Sequence, residues 1–165
     1  MNDAVLRATE VAYVAGGRDT GREGFRLRLR EATLRPGSRL AVCGPSGCGK
    51  STLLGLLSLA LAPHDAGRLE LGGVDAAMLW RQGNADRLSA LRARLIGFVP
   101  QTGGLLAFLT LGDNMRLPQD ILRRPDPARL ASLAERLGIA SILGRLPPEV
   151  SVGQRQRAAI GRALV

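Results

Sequence analysis

An α/β fold is predicted by three features of this 165-residue chain. An apolar run suited to a buried strand, Leu40-Ala41-Val42-Cys43, passes through a glycine-rich octet into an apolar run suited to a helix, Leu53-Leu54-Gly55-Leu56-Leu57. Ahead of it lie two segments whose apolar residues alternate as in strands. From Thr110 onward the pattern is helical with short breaks. Two strands, a strand–loop–helix unit and a helical segment therefore follow one another along the chain.

Each element has its own local reason. Residues 4–14 and 25–34 read as two β-strands, joined by a loop rich in glycine and charge over 16–24. In the second strand Arg26, Arg28 and Arg30 alternate with Phe25, Leu27 and Leu29, one face for solvent and one half-buried. Pro36-Gly37 marks a turn, and Arg39–Cys43 reads as a short buried strand. The helix after the octet is expected to run to about Leu61 and to be stopped by Pro63. Arg68–Leu71 reads as a strand, and Gly72-Gly73 as a turn. Leu88, Leu91 and Leu95 give helical spacing over 86–95, and Ile96–Val99 reads as a compact apolar strand ending at Pro100-Gln101. Asp126-Pro127 is a helix start, an N-cap followed by proline at the first helical position. That helix carries Leu130, Leu133, Ala134 and Leu137, and Gly138 ends it. Pro147-Pro148 closes the helical segment. Ser151-Val152-Gly153-Gln154 opens a final helix, Arg155 to Val165, with Ser151 and Gln154 spaced as a capping box.

Composition limits the reading further. A chain of this length with 45% hydrophobic residues is one ordinary domain able to bury a core. Met1-Asn2-Asp3 opens into a mixed charged segment, so no secretory signal is expected. The longest uncharged stretch, Leu95 to Gly112, is broken by Pro100, Gln101, Gly103 and Gly104, so no spanning helix is expected and a membrane role would come through a partner. A net charge of +9 invites a nucleic-acid reading, but 3% aromatics supply no stacking platform and the arginines are dispersed. An arginine-rich surface near anionic lipid is preferred, with no specific nucleic acid as partner. Cys43 and Cys48 lack zinc-site spacing. Cys48 is left as either a small residue that fits its loop or a redox-sensitive thiol. His64, with no second ligand nearby, reads as a loop residue.

The octet Gly44-Pro45-Ser46-Gly47-Cys48-Gly49-Lys50-Ser51 matches G-x-x-x-x-G-K-[ST], the phosphate-cradling P-loop, and Thr52 follows it. Glycines at 44, 47 and 49 let backbone N–H groups turn inward as an anion nest. The helix that starts there adds the positive end of its dipole. Lys50 is the only lysine in a chain whose other basic residues are all arginine. A compact ammonium on a flexible stem can follow β- and γ-phosphates where a planar fork would be too bulky. Ser51 offers a hydroxyl to Mg²⁺. Nucleotide binding is the expected purpose of this segment.

Ser151-Val152-Gly153-Gln154, well downstream of a P-loop, resembles the LSGGQ signature of the ATP-binding cassette (ABC) ATPases, and Gln154 to Leu164 is similar to that family's run almost residue for residue. Gln101, after Phe98-Val99-Pro100, matches the family's Q-loop glutamine. Tyr13 sits where its adenine-stacking aromatic lies; the alternative is a tyrosine packed on its sheet. Leu105-Leu106 to Asn114 resembles the start of the helical subdomain, so the resemblance covers the whole chain. Ile96–Gln101 and Leu109–Leu117 look most like the lipoprotein-release and macrolide-exporter branch.

The resemblance implies a P-loop NTPase core with N-terminal antiparallel strands and an inserted helical subdomain. Within one domain over 1–165 it divides the chain into a β/P-loop core over 1–101, the helical subdomain over 102–153 and the signature helix over 154–165. It implies ATP and Mg²⁺ as cofactors. ATP would be held by Tyr13, Gly44, Pro45, Ser46, Gly47, Cys48, Gly49, Lys50, Ser51, Thr52 and Gln101, with Ser51 and Gln101 toward Mg²⁺ and Lys50 and Gln101 contributing to catalysis. Ser151, Val152, Gly153 and Gln154 would meet the ATP of a partner subunit in a head-to-tail homodimer or heterodimer. The implied setting is cytoplasmic, on the inner face of the cell membrane, with a membrane permease subunit as partner.

The sequence departs from the pattern twice. Val152 stands where the family usually has glycine. The chain also stops at Val165, where the family continues into its Walker B strand, so a truncated product, a fragment or half of a split cassette is expected, with ATP binding but no turnover in isolation. The alternatives are a non-hydrolytic docking module for a permease and a P-loop protein acting on DNA or ribosomes.

Overall fold

The structure is a computed structural model that describes residues 4–15 and 25–165. The loop expected over 16–24 and the opening Met1-Asn2-Asp3 lie outside the described residues. The chain forms two compact units, Met1–Leu95 and Ile96–Val165.

In the first unit β1 (Leu6–Ala15), β2 (Phe25–Leu34), β3 (Asp65–Leu71) and β4 (Val74–Asp75) form an antiparallel sheet in the order β2-β1-β3-β4. Leu6 stands opposite Leu34 on one side and Leu71 on the other. β1 buries Leu6 and Ala8, and then Val11 rather than residue 10. The phase shifts at Glu10, whose φ of 49° is left-handed, and facing it is a residue without a side chain: a Cβ on Gly67 would lie 3.5 Å from that of Glu10. The displaced Glu10 carboxylate accepts from Arg28 Nε at 2.8 Å. Arg26, Arg28 and Arg30 are exposed and Leu27 and Leu29 half-buried, as the alternation predicts, but Phe25 at the start of the strand, expected on the half-buried face, is 36% exposed.

Gly72 and Gly73, with φ of 55° and 80°, turn β3 into β4, a hairpin turn that wants left-handed backbone at both central residues. Asp75 then caps α2 (Ala76–Arg81) by accepting from Met78 N. The sequence reading missed this helix, whose six residues are too few to show a period. α3 (Ala85–Leu95) matches its prediction and buries Leu88 and Leu91.

α1 (Lys50–Leu57) is shorter than predicted. It ends not at Pro63 but in a wrap around Leu59, a buried residue with φ 57°. Leu59 N donates to Leu56 O at 3.0 Å and Ala60 N to Gly55 O at 2.8 Å, the paired bonds of a Schellman end. The wrap seats Leu61 against Gly55, where any Cβ would be 2.8 Å from Leu61 Cδ1.

Two predicted strands are absent among the described residues. Arg39–Cys43 and Ile96–Val99 join no ladder, and Leu40, expected to be buried, is 59% exposed. An apolar run becomes a strand only when a neighbour takes up its N–H and C=O groups, and neither segment meets one among the described residues.

The second unit packs α4 (Leu111–Leu122), α5 (Pro127–Arg136) and α6 (Val152–Leu164) around Leu111, Met115, Ala134, Ile139, Val150 and Ala158. Asp126 caps α5 by accepting from Arg129 N at 2.9 Å, and Gly138 follows the helix at φ 63°, as predicted. Asn114, fully buried at the start of α4, ties down the preceding loop through Leu106, Leu109 and Thr110.

Candidate functional site

The predicted phosphate cradle, 44–49, leads directly into α1. Gly47 and Gly49 adopt φ of 81° and 99°, and Gly44 reaches 151°. At Gly49 the space is closed as well: a Cβ would lie 2.6 Å from Phe25 Cζ and 2.9 Å from Leu27 Cδ1. Glycine is therefore required at 49 on two grounds, conformation and contact.

α1 begins at Gly49 with no side-chain cap, and its first internal bond is Leu53 N to Gly49 O at 2.8 Å. The N–H groups of the first turn are thus left for a ligand, at the positive end of the helix dipole. Lys50 Nζ donates to Gly44 O at 2.9 Å and Pro45 O at 2.7 Å, with Cys48 Sγ at 3.9 Å. Its ammonium is held over the cradle by carbonyl dipoles, and it takes part in none of the ion pairs among the described residues. Glycine nest, uncapped helix and unneutralised ammonium fit a phosphate chain. Ser51 is exposed and Thr52 half-buried beside it.

Tyr13 stands opposite Leu27 in the β1–β2 ladder, and Ala15 opposite Phe25. Directly opposed side chains share a face, as do residues two apart. Tyr13 therefore lies on the face of the sheet whose Phe25 and Leu27 abut Gly49. The sequence reading missed Phe25 and Leu27 as residues of the cradle. Their alternation marked a half-buried face but carried no sign of what packs on it.

Gln101, Ser151, Val152, Gly153 and Gln154 belong to the second unit. Gln101 is exposed in a tight turn closed by Gly103 N donating to Pro100 O at 2.8 Å, and Gly103 and Gly104 follow at φ 78° and 60°. From α6, Arg162 donates to Gly104 O at 2.9 Å and Gly103 O at 3.3 Å. Desolvation by burial lowers the pKa of that guanidinium from its ordinary value.

The capping box at the head of α6 is present in both directions. Ser151 Oγ accepts from Gln154 N at 3.2 Å, and Gln154 Oε1 accepts from Ser151 N at 2.8 Å. Val152 is 69% exposed, and Gly153 has nothing within 4 Å of where a Cβ would stand. Valine in place of glycine at 152 therefore leaves the helix start intact. Arg155 Nη1 supports the entry by donating to Val150 O at 2.6 Å.

Residues 28–165 match the family model for the ABC transporter. The chain is 37% identical to the lipoprotein-releasing system ATP-binding protein LolD of Novosphingobium aromaticivorans over 99% of this chain and 71% of that protein. It is 38% identical to the ABC transporter ATP-binding protein YxdL of Bacillus subtilis over 84% of this chain and 53% of that protein. Its fold is similar to the ATP-binding cassette MJ0796 in a dimeric post-hydrolysis state bound to ADP and Pi, with TM-score 0.80 and 25% identity over 96% of this chain and 68% of that one. The match thus spans from about half to about seven-tenths of these relatives' lengths. With the cradle and the capped helix both in place, the chain belongs to the ABC transporter family, among its ATP-binding proteins.

Proposed function

We propose that this chain is the nucleotide-handling part of an ATP-hydrolysing transporter subunit that energises a separate membrane permease, of the export or lipoprotein-release type. The observation that carries the reading is the Lys50 ammonium poised over the Gly44 and Pro45 carbonyls at the head of an uncapped helix. Relatives named for lipoprotein release and macrolide export support the type, while another is named for sulfate/thiosulfate import. The preference for export rests on the runs 96–101 and 109–117. Among the described residues no helix is long and apolar enough to cross a membrane, in keeping with work through a permease at the cytoplasmic face.

In this reading the loop N–H groups of 44–49 and the first turn of α1, with Ser51 and Thr52, hold the phosphates. Lys50 carries the positive charge, Ser51 and Gln101 serve Mg²⁺, and Tyr13 stacks on the base. Bound Mg²⁺ neutralises charge on the β- and γ-phosphate oxygens. Ser151, Val152, Gly153 and Gln154 present a helix N-terminus to the nucleotide of a second copy or a related subunit, paired head to tail.

Competition against a fluorescent ATP analogue tests the reading. ATP and ADP are expected to displace it, and AMP to bind at least ~100-fold more weakly, because it lacks the β-phosphate and loses charged hydrogen bonds worth about 3 kcal/mol together. AMP competing as well as ATP would place recognition outside the cradle and overturn the proposal.

Tyr13→Ala is expected to weaken ATP binding by about 1–3 kcal/mol, as loss of base stacking does. A lower unfolding midpoint with unchanged ATP affinity would make Tyr13 a sheet-packing residue instead.

A further inference from the structure

We propose that Arg162 is a positioning residue for Gln101, fastening the glutamine turn to α6 so that the turn and the Ser151–Gln154 helix start move as one body. The inference rests on the nucleotide role proposed above for Gln101. Among the described residues, three hydrogen bonds hold the segment 100–104. One is the closure of the turn, Gly103 N to Pro100 O, and the other two come from the Arg162 guanidinium to the carbonyls of Gly103 and Gly104.

Among the described residues the preceding run Ile96–Val99 joins no ladder. The left-handed backbone at Gly103 and Gly104 sets where their carbonyls point, and both meet the guanidinium. Neighbouring contacts run along the same face of α6. A Cβ on Gly103 would be 3.8 Å from Ala159 Cβ, one on Gly104 would be 3.6 Å from Arg162 Nη2, and one on Gly97 would overlap the Ala163 carbonyl. Residues 159, 162 and 163 are spaced i, i+3, i+4, which places them together on one side of the helix.

A planar fork with fixed donors can serve two carbonyls at once, where an ammonium on a flexible stem is held less strictly. The guanidinium has no ion-pair partner among the described residues, so those carbonyl dipoles are what compensates its partial burial. α6 is one continuous helix from Val152 to Leu164, capped at its start by the Ser151–Gln154 box. A displacement of the Gln101 turn is therefore delivered to the signature end without an intervening loop.

The test uses the full chain with Arg162→Met, Arg162→Lys, Gln101→Ala and the Arg162→Met/Gln101→Ala double variant. In hydrogen exchange, the Gly103 amide of Arg162→Met is expected to exchange at least ~10-fold faster, with the core amides of α4 unchanged. Arg162→Lys should recover part of that protection. Unchanged protection at Gly103 overturns the proposal. For MgATP affinity, Arg162→Met and Gln101→Ala are each expected to lose about 3–10-fold, and the double variant no more than Gln101→Ala alone, since the two act through one contact. Fully additive losses would overturn the positioning role. Faster exchange at Gly103, together with a Gln101→Ala variant that binds MgATP normally, would keep the clamp and remove the nucleotide role of Gln101. If Arg162→Met does not fold, Arg162→Lys carries both readouts, with intermediate values expected and wild-type values overturning the proposal.

Discussion

Lys50→Ala is expected to abolish measurable nucleotide binding while leaving the chain folded. The Lys50 ammonium touches only loop groups, the Gly44 and Pro45 carbonyls and, more distantly, Cys48 Sγ, and its stem adds nothing to the buried core. Lys50 is half-buried and outside the buried core, so its removal should change stability by no more than about 1 kcal/mol. The cradle, however, would lose its one full positive charge. Charged hydrogen bonds are worth about 1.5–3 kcal/mol each, so two of them to phosphate oxygens correspond to ~100-fold or more in affinity. Lys50→Arg should be nearly as damaging despite keeping the charge, because a rigid five-donor fork must enter a space sized for a compact ammonium. Calorimetric titration with MgATP beside urea unfolding checks both halves. Equal affinity in wild type and Lys50→Ala would end the P-loop assignment.

The parts of the molecule that were legible in the sequence are those whose physics is local. The capping box needs Ser151 and Gln154 three residues apart and nothing else, and both of its bonds are present. Asp126-Pro127 started α5 and Gly138 ended it for the same kind of reason. The cradle was legible because left-handed turns at Gly47 and Gly49 demand glycine, whatever surrounds them.

Where the sequence misled, the deciding partner was distant or of an unexpected type. Arg39–Cys43 and Ile96–Val99 have strand composition, but β-structure is a property of pairs, and neither segment is paired among the described residues. The end of α1 was misplaced because a buried leucine, Leu59, takes the left-handed position that glycine usually fills. Phe25 against Gly49 and Arg162 on the glutamine turn are contacts between residues 24 and about 58 positions apart, and no window along the chain contains either pair.

The second large effect is expected at Asn114, in the other unit. Its side chain is fully buried and replaces backbone partners that the 106–110 loop cannot find for itself. Asn114 Oδ1 accepts from Leu106 N at 2.8 Å, and the carbonyls of Leu106, Leu109 and Thr110, each at 3.0 Å, share the two N–H donors of Nδ2. Asn114→Ala deletes all of these and opens a void at a fully buried position, so a loss of about 2–4 kcal/mol is expected. Asn114→Leu separates the two causes, because it restores volume without restoring a donor or an acceptor. If the polar network is what matters, Asn114→Leu should remain at least about 2 kcal/mol below wild type in urea unfolding. A leucine variant as stable as wild type would mean that the loop carbonyls rehydrate at no cost and that Asn114 is replaceable packing. Under conditions where the variants are folded, Lys50-dependent MgATP binding is expected to persist, since the cradle and α1 are built entirely from residues of the first unit.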